Sequence, residues 1–136
     1  MTASQKVLVV SLNDNPEYQR ILEGQPQTHG MRSGRVYLKA GESCGRHSTK
    51  HHEELLVFLT GQGELQIGEG DRLAIGAGRA AYIPPETVHD VHNTGSGPLT
   101  YIYCVAPAGE PGKQPQQHTP ATITNSPAMP PERDNA

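Results

Sequence analysis

HSTKHHEELLVFLTG, residues 47–61, joins a histidine-rich segment to an apolar strand. From Glu54 onward the side chains of a strand alternate between two faces, so Glu54 shares a face with Leu56. A second polar group follows in YIPPETVHDVHN, residues 82–93, which contains His89. Imidazole and carboxylate groups are typical ligands of divalent transition metals. Two neighbouring strands could bring the two groups to one point, which predicts a metal site.

The sequence on both sides of this stretch is a series of short strands separated by turns rich in glycine and proline. The predicted strands are Arg35–Ala40, Glu54–Thr60, Glu64–Ile67, Arg72–Ile75, Ala80–Ile83, Val88–Asn93 and Leu99–Val105. Short strands at such regular spacing are typical of an antiparallel jelly-roll sandwich or barrel. We therefore predict an all-β domain over residues 34–106.

The N-terminal residues 1–33 predict a short strand followed by one short helix. Lys6–Ser11 has the composition of a strand, and Gln25–Gly34 that of a loop. Between them, an Asn-capped start with Pro16 at the first helical position, apolar residues at helical spacing and a closing Gly24 indicate a helix. We expect this helix to pack its apolar face on the barrel.

The C-terminal residues 107–136 contain seven of the twelve prolines and no aromatic residue. Such a segment cannot bury enough apolar surface to fold, so the sequence predicts a disordered tail. His118, which lies in it, is expected to have no role in a site.

Composition excludes several classes of partner and location. The net charge is −3, so no basic surface for nucleic acid is indicated. No apolar run reaches the length of a signal-peptide core or of a membrane span. Two cysteines, Cys44 and Cys104, do not make a disulfide framework. These observations predict a cytoplasmic protein that binds neither nucleic acid nor membrane.

The two polar groups resemble the two sequence motifs of the cupin superfamily. The first motif, G-x5-H-x-H-x(3,4)-E-x6-G, is matched at Gly41, His47, Glu54 and Gly61. The second, G-x5-P-x-G-x2-H-x3-N, is matched with every spacing kept at Gly78, Pro84, His89 and Asn93. Both the order of the motifs and the short interval between them are similar to those of small single-domain cupins. The resemblance implies an antiparallel double-stranded β-helix barrel that holds one metal ion in its mouth.

Two residues depart from the cupin motifs. Glu86 stands where the second motif has glycine, which leaves the shape of that turn open. Thr49 stands where the first motif has its second histidine, and threonine is a poor ligand for such a metal.

The resemblance therefore leaves three ligands: His47, Glu54 and His89. A set of two histidines and one carboxylate suits non-haem Fe(II) with open positions. A fourth ligand is expected from His52, two residues before Glu54 on the same strand face, and His51 remains the alternative if the segment bends.

Several polar and aromatic residues are candidates for binding a substrate near the metal. We expect the mouth of the barrel to be largely apolar, and the cationic and hydroxyl groups to hold a small organic molecule with oxygen atoms. The candidate substrate-binding residues are Arg35, Tyr37, Phe58, Tyr82, Tyr101 and Tyr103. The sequence assigns no catalytic acid or base.

Three classes of function fit these features. The donor set favours a dioxygenase that uses one divalent metal ion, with Fe the best match. An isomerase, epimerase or lyase acting on a sugar or hydroxy acid is the second class, and Zn, Mn or Ni could serve it. The third is a cupin that binds a small molecule without catalysis, which the loss of a histidine at Thr49 favours.

The strand from Glu54 to Thr60 is apolar on both faces. If one face lines the barrel, the other still needs cover, and a second subunit is the simplest cover. The sequence therefore predicts a homodimer.

Overall fold

The structure is a computed structural model that describes residues 5–109. These residues form eight strands and contain no helix. The strands are β1 (Gln19–Glu23), β2 (Arg32–Leu38), β3 (His52–Thr60), β4 (Gln62–Ile67), β5 (Arg72–Gly76), β6 (Ala80–Ile83), β7 (His89–Asn93) and β8 (Leu99–Pro107). The predicted all-β fold is confirmed. Most of the predicted C-terminal tail, from residue 110 on, lies outside the described residues.

The strands form two antiparallel sheets that pack on each other. One sheet has five strands in the order β1-β2-β8-β3-β6, and the other has three in the order β5-β4-β7. Both sheets contribute to one buried apolar core, which contains Leu38, Leu56, Phe58, Leu65, Ile75, Ile83, Val91, Leu99 and Tyr101. Within residues 5–109, no helix of the length and apolarity of a membrane span is found.

β3 has the two-sided pattern that the sequence predicts. Glu54, Leu56 and Phe58 are buried, whereas Leu55 and Val57 between them are exposed. Because β3 lies between β8 and β6 in the larger sheet, its inward face looks across to the smaller sheet. This arrangement places the Glu54 carboxylate between the two sheets.

The predicted N-terminal helix is wrong. Its residues form β1, which pairs antiparallel with β2 and whose register shifts between Arg20 and Leu22. An extra residue of this kind shifts the alternation of a strand by one position. Apolar residues three and four apart, such as Tyr18, Ile21 and Leu22, therefore fit a bulged strand as well as a helix. Pairing with β2 outweighs the local cap signals here.

The predicted strand Lys6–Ser11 is also not formed as part of a sheet, because these residues belong to no ladder. β2 begins at Arg32, three residues earlier than the sequence predicted. The loop before it is correspondingly shorter.

Candidate metal centre

The segment from residue 41 to 47 lies beside β7 and brings His47 to His89. The two residues exchange backbone hydrogen bonds: His47 N donates to His89 O over 3.0 Å, and His89 N donates to His47 O over 2.8 Å. Their ring centroids are 4.5 Å apart. This backbone pairing sets the two imidazoles side by side.

Glu54 reaches the same point from β3. Its Oε1 lies 2.9 Å from Nε2 of His89, and the two side chains are only 6% and 1% exposed. Since β3 and β7 belong to different sheets, this contact joins the two sheets across the barrel. His47 is exposed and completes the group on the solvent side.

Backbone carbonyls fix the orientation of both imidazole rings. Nδ1 of His47 donates to the carbonyl of Gly45 over 2.8 Å, and Nδ1 of His89 donates to the carbonyl of Thr87 over 2.9 Å. Such contacts on the far nitrogen are typical of metal-binding histidines, because they set the tautomer and the direction of the ring. Nε2 of His89 is left to face the Glu54 carboxylate.

The three side chains fit a single divalent transition-metal ion. One donor atom from each of His47, Glu54 and His89 lies within 4.8 Å of the other two. Donors that share one ion at about 2.1 Å are roughly 3 to 4 Å apart, so a modest contraction of the group would suffice. Nitrogen and carboxylate donors in this ratio suit Fe(II), Zn, Mn or Ni.

The charge state of His89 is tied to Glu54. Burial acts to lower the pKa of His89, but the contact with Glu54, the hydrogen bond to Thr87 and the carboxylates of Glu54 and Asp90 act against it. Their sum raises the pKa of His89 above its ordinary value. This shift favours a protonated His89 beside the Glu54 carboxylate in the metal-free protein.

A cavity of about 250 Å³ opens on the candidate metal centre. His47 and Glu54 are part of its wall, and the remaining lining residues are Arg32, Val36, Cys44, Thr49, Tyr101, Tyr103 and Val105. Burial, with the nearby Cys44 thiol and the carboxylates of Glu54 and Asp90, raises the pKa of Tyr101 far above that of an ordinary phenol. Tyr101 is therefore a neutral hydrogen-bond donor in the wall.

The structure does not bring a fourth histidine to the group. His52 lies half-buried at the first residue of β3 and is not among the clustered donors. His51 is exposed and its Nδ1 lies 3.1 Å from Oε2 of Glu86, away from the cluster. A role for His52 as a ligand stays a prediction. Thr49, at the position of the missing family ligand, lines the cavity and donates through its hydroxyl to the carbonyl of His52.

Of the six candidate substrate-binding residues, Tyr101 and Tyr103 line the cavity. Phe58 instead packs in the core, with its ring centroid 5.2 Å from that of Tyr101. Tyr82 is exposed on β6 and donates to Oε1 of Glu53 over 2.8 Å. Its outward direction follows from its place opposite Leu55, another outward residue.

Arg35 and Tyr37 lie on the outer side of β2, away from the cavity. The buried Arg35 guanidinium donates through Nη2 to Oδ1 of Asn13 and to the carbonyls of Asn15 and Glu17. Arg35 thus holds the N-terminal segment against the sheet.

Arg32 is a charged cavity residue that the sequence did not single out. It shares the inward face of β2 with Val36, since residues two and four apart point the same way. The sequence placed the start of this strand at Arg35 and left Arg32 in the preceding loop. The direction of the Arg32 side chain could therefore not be predicted.

Sequence comparison places most of the described fold in a known family. A family profile described as "Cupin domain" matches residues 34–106. An uncharacterized protein of Methanocaldococcus jannaschii is 33% identical over 60 residues, which are 43% of this chain and 47% of that protein. The match thus spans about half the length of this relative.

Solved structures share the fold. An uncharacterized conserved protein with a double-stranded beta-helix domain from Klebsiella pneumoniae is 25% identical, with a TM-score of 0.61 over 74% of this chain and 84% of that chain. A Cupin 2 conserved barrel domain protein from Salinispora arenicola is 23% identical, with a TM-score of 0.62 over 76% and 92%. A predicted oxalate decarboxylase from Thermotoga maritima is 19% identical, with a TM-score of 0.56 over 73% and 99%. With both motifs, the two-sheet barrel and the profile match in agreement, the chain belongs to the cupin domain family.

Proposed function

We propose that this cupin is a metal-dependent enzyme of the non-haem Fe(II) dioxygenase type that acts on a small organic substrate containing oxygen. The observation that carries the proposal is the convergence of His47, Glu54 and His89 beside a cavity. Two imidazoles and one carboxylate suit Fe(II) and leave other positions around the ion open. A bound iron would supply the place at which substrate and dioxygen meet.

The residues of the chain would hold and orient the substrate beside this centre. Val36 and Val105 offer apolar walls to its carbon skeleton, and the Tyr101 hydroxyl offers a hydrogen bond to one of its oxygens. The buried side of the centre, where His89 is 1% exposed, would exclude water from one side of the reacting group. We expect a small-molecule substrate; the cytoplasmic location stays a prediction.

Tyr101 supports a second candidate function, a metal-dependent isomerase, epimerase or lyase. Its phenol faces the cavity and stays neutral, because burial raises its pKa. A neutral phenol in this place could donate a hydrogen bond to the oxygen of a substrate carbonyl that a metal polarises. The third candidate, a binding cupin without catalysis, is supported by Thr49 at the position of a family ligand.

Metal content is the first test. We would purify the full chain without added metal or chelator and measure its metals by mass spectrometry, beside His47→Ala and His51→Ala. Both are exposed histidines, but only His47 belongs to the cluster. We expect near-stoichiometric metal in the natural protein and in His51→Ala, and a marked loss of bound metal in His47→Ala, because one of the three donors is removed. Equal metal content in all three proteins would contradict the proposed centre.

The identity of the metal and the consumption of oxygen separate the candidate functions. Iron, with oxygen uptake that depends on it across a panel of diketones, phenols and sugar acids, would support the dioxygenase. Zinc, nickel or manganese, with product formed and no oxygen consumed, would support the isomerase or lyase. A protein that takes up no metal on soaking would be a binding cupin. His52→Ala in the same series shows whether a fourth ligand contributes.

A further inference from the structure

Arg32 is a cation in the wall of the cavity that contains the candidate metal centre. It lies at the first residue of β2, and its register partner on β8 is Val105, which also lines the cavity. The Cγ of Arg32 lies next to Gly24, just after β1, and the residue is exposed to solvent.

The guanidinium of Arg32 has no counter-ion within residues 5–109. Arg46 and Arg72 form ion pairs with carboxylates, but Arg32 forms neither an ion pair nor a side-chain hydrogen bond there. Glu23 on β1 is its direct register partner and still makes no ion pair with it. An arginine with free N–H groups is well suited to a carboxylate, which it binds through two parallel hydrogen bonds.

Besides the Glu23 carboxylate, the groups near Arg32 are two tyrosine hydroxyls and a second guanidinium. The hydroxyls of Tyr103 and Tyr18 lie 2.6 Å apart at this end of the cavity, and the guanidinium of Arg20 lies 5.9 Å from the Tyr18 ring centroid. Burial and the Tyr18 hydroxyl raise the pKa of Tyr103 to about 12, so that the phenol is neutral. Two guanidiniums thus stand against the one carboxylate of Glu23, which does not line the cavity, so this part of the wall favours an anion.

The charges in the cavity wall also favour an anion once a metal is bound. Glu54 contributes one negative charge, whereas a divalent ion and Arg32 together contribute three positive charges. The cavity volume, about 250 Å³, is below the roughly 300 to 1,000 Å³ of sites for drug-sized ligands. Only a small molecule fits between the metal centre and Arg32.

We propose that the substrate is a small organic acid whose carboxylate binds Arg32 while an oxygen at its other end reaches the metal centre. This inference rests on the proposed function, because it needs a metal centre in the cavity that Arg32 lines. It differs from the sequence-based expectation, which gave the role of the cation to Arg35.

The test compares two kinds of probe on the full chain loaded with Co(II). Acetohydroxamic acid binds a metal but has no carboxylate. The monohydroxamates of malonic and succinic acid carry a carboxylate as well, separated from the hydroxamate by one and by two methylene groups. The visible absorption of Co(II) reports binding at the metal, and calorimetry gives the affinity. At least one carboxylate probe should bind roughly tenfold or more tightly than acetohydroxamic acid.

Arg32→Met should abolish this advantage and leave the affinity for acetohydroxamic acid unchanged. Arg32→Lys should retain part of it, since it keeps the charge but not the paired hydrogen bonds. Arg20→Met is the matched control: it removes a nearby guanidinium that does not line the cavity, and the advantage should remain.

Two other outcomes separate the inference from the proposed function. If Co(II) binds but neither carboxylate probe is favoured, or the advantage survives Arg32→Met, the inference on the substrate is overturned while the metal centre stands. If the protein takes up no Co(II), the metal centre fails, and the inference fails with it.

Discussion

His89 and Glu54 form a buried pair whose charge depends on pH when no metal is bound. The contact with Glu54 and the hydrogen bond to Thr87 outweigh burial and raise the pKa of His89 above its ordinary value. A group whose pKa is raised on folding stabilises the folded state fully below its unfolded pKa, and this stabilisation is lost as pH rises through the folded pKa. For His89 the unfolded value is about 6.5.

We therefore expect this pair to stabilise the metal-free protein below about pH 6.5 and to lose its effect at higher pH. The measurement is the midpoint of thermal unfolding of chelator-treated protein across this pH range. Glu54→Gln is the control, because it keeps the shape of the side chain and removes the charge that raises the pKa of His89. The other histidines are common to both proteins, so the difference between the two pH profiles isolates the pair.

An NMR titration of the His89 ring gives the direct readout. It should protonate at higher pH in the natural protein than in Glu54→Gln. Identical titrations in the two proteins, or a His89 pKa below its ordinary value, would contradict the assignment of the pair.

The inward face of β3 can be tested against an exposed leucine on another strand. Leu56, on the inward face, is 1% exposed, whereas Leu73 on β5 is 52% exposed. Leu56→Ala should lower the free energy of unfolding by about 2 to 5 kcal/mol, since it removes buried methyl groups and leaves a cavity. Leu73→Ala, the same chemical change at an exposed site, should cost about 0.5 kcal/mol or less. Denaturant unfolding measures both, and equal losses would contradict the assigned core face.

The sequence predicted the parts of the fold where strict alternation and turn residues agree. Residues 54–58 of β3 alternate with period 2 in sequence and in burial, and so the inward positions of Glu54 and Phe58 followed from the residues alone. β1 has a register shift, which makes its apolar spacing resemble that of a helix. A local pattern cannot distinguish the two cases, because the choice is made by pairing with β2.

The candidate site was predictable to the extent that the cupin motifs mark it. His47, Glu54 and His89 are matched by spacing, and the structure brings them together. His52 shares a face with Glu54 but is not among the clustered donors, so its role as a ligand stays a prediction.

Glu86 stands where the motif has glycine, yet the backbone keeps a conformation typical of glycine there. Its φ of 60° is in the left-handed region that glycine adopts most easily. The turn before His89 therefore keeps a glycine-like conformation with a glutamate in it.

The outer side of the larger sheet is the candidate surface for association with another chain. Leu55, Val57 and Leu59 form an exposed apolar row on β3. Residues 6–11 belong to no ladder, and Val7 and Val9 among them are 96% and 93% exposed. Apolar surface of this kind is typical of interaction sites. Because one chain carries both an exposed sheet face and an exposed extended segment, we propose a second copy of the same chain as the partner, related by a two-fold axis.

The test of this homodimer is the molar mass of the full chain by light scattering at micromolar concentration. We expect a dimer for the natural protein and a monomer for Val57→Lys, since the introduced charge would have to be buried in the interface without a partner. Leu73→Lys is the matched control, because it places the same charge at an exposed apolar position on the other sheet and should remain dimeric. A natural protein that is monomeric at this concentration would contradict the homodimer. A Val57→Lys protein that stays dimeric would contradict an interface on the outer face of β3. Metal content measured on the same samples shows that Val57→Lys keeps its fold, because the donors of the metal centre lie on the opposite, inward side of β3.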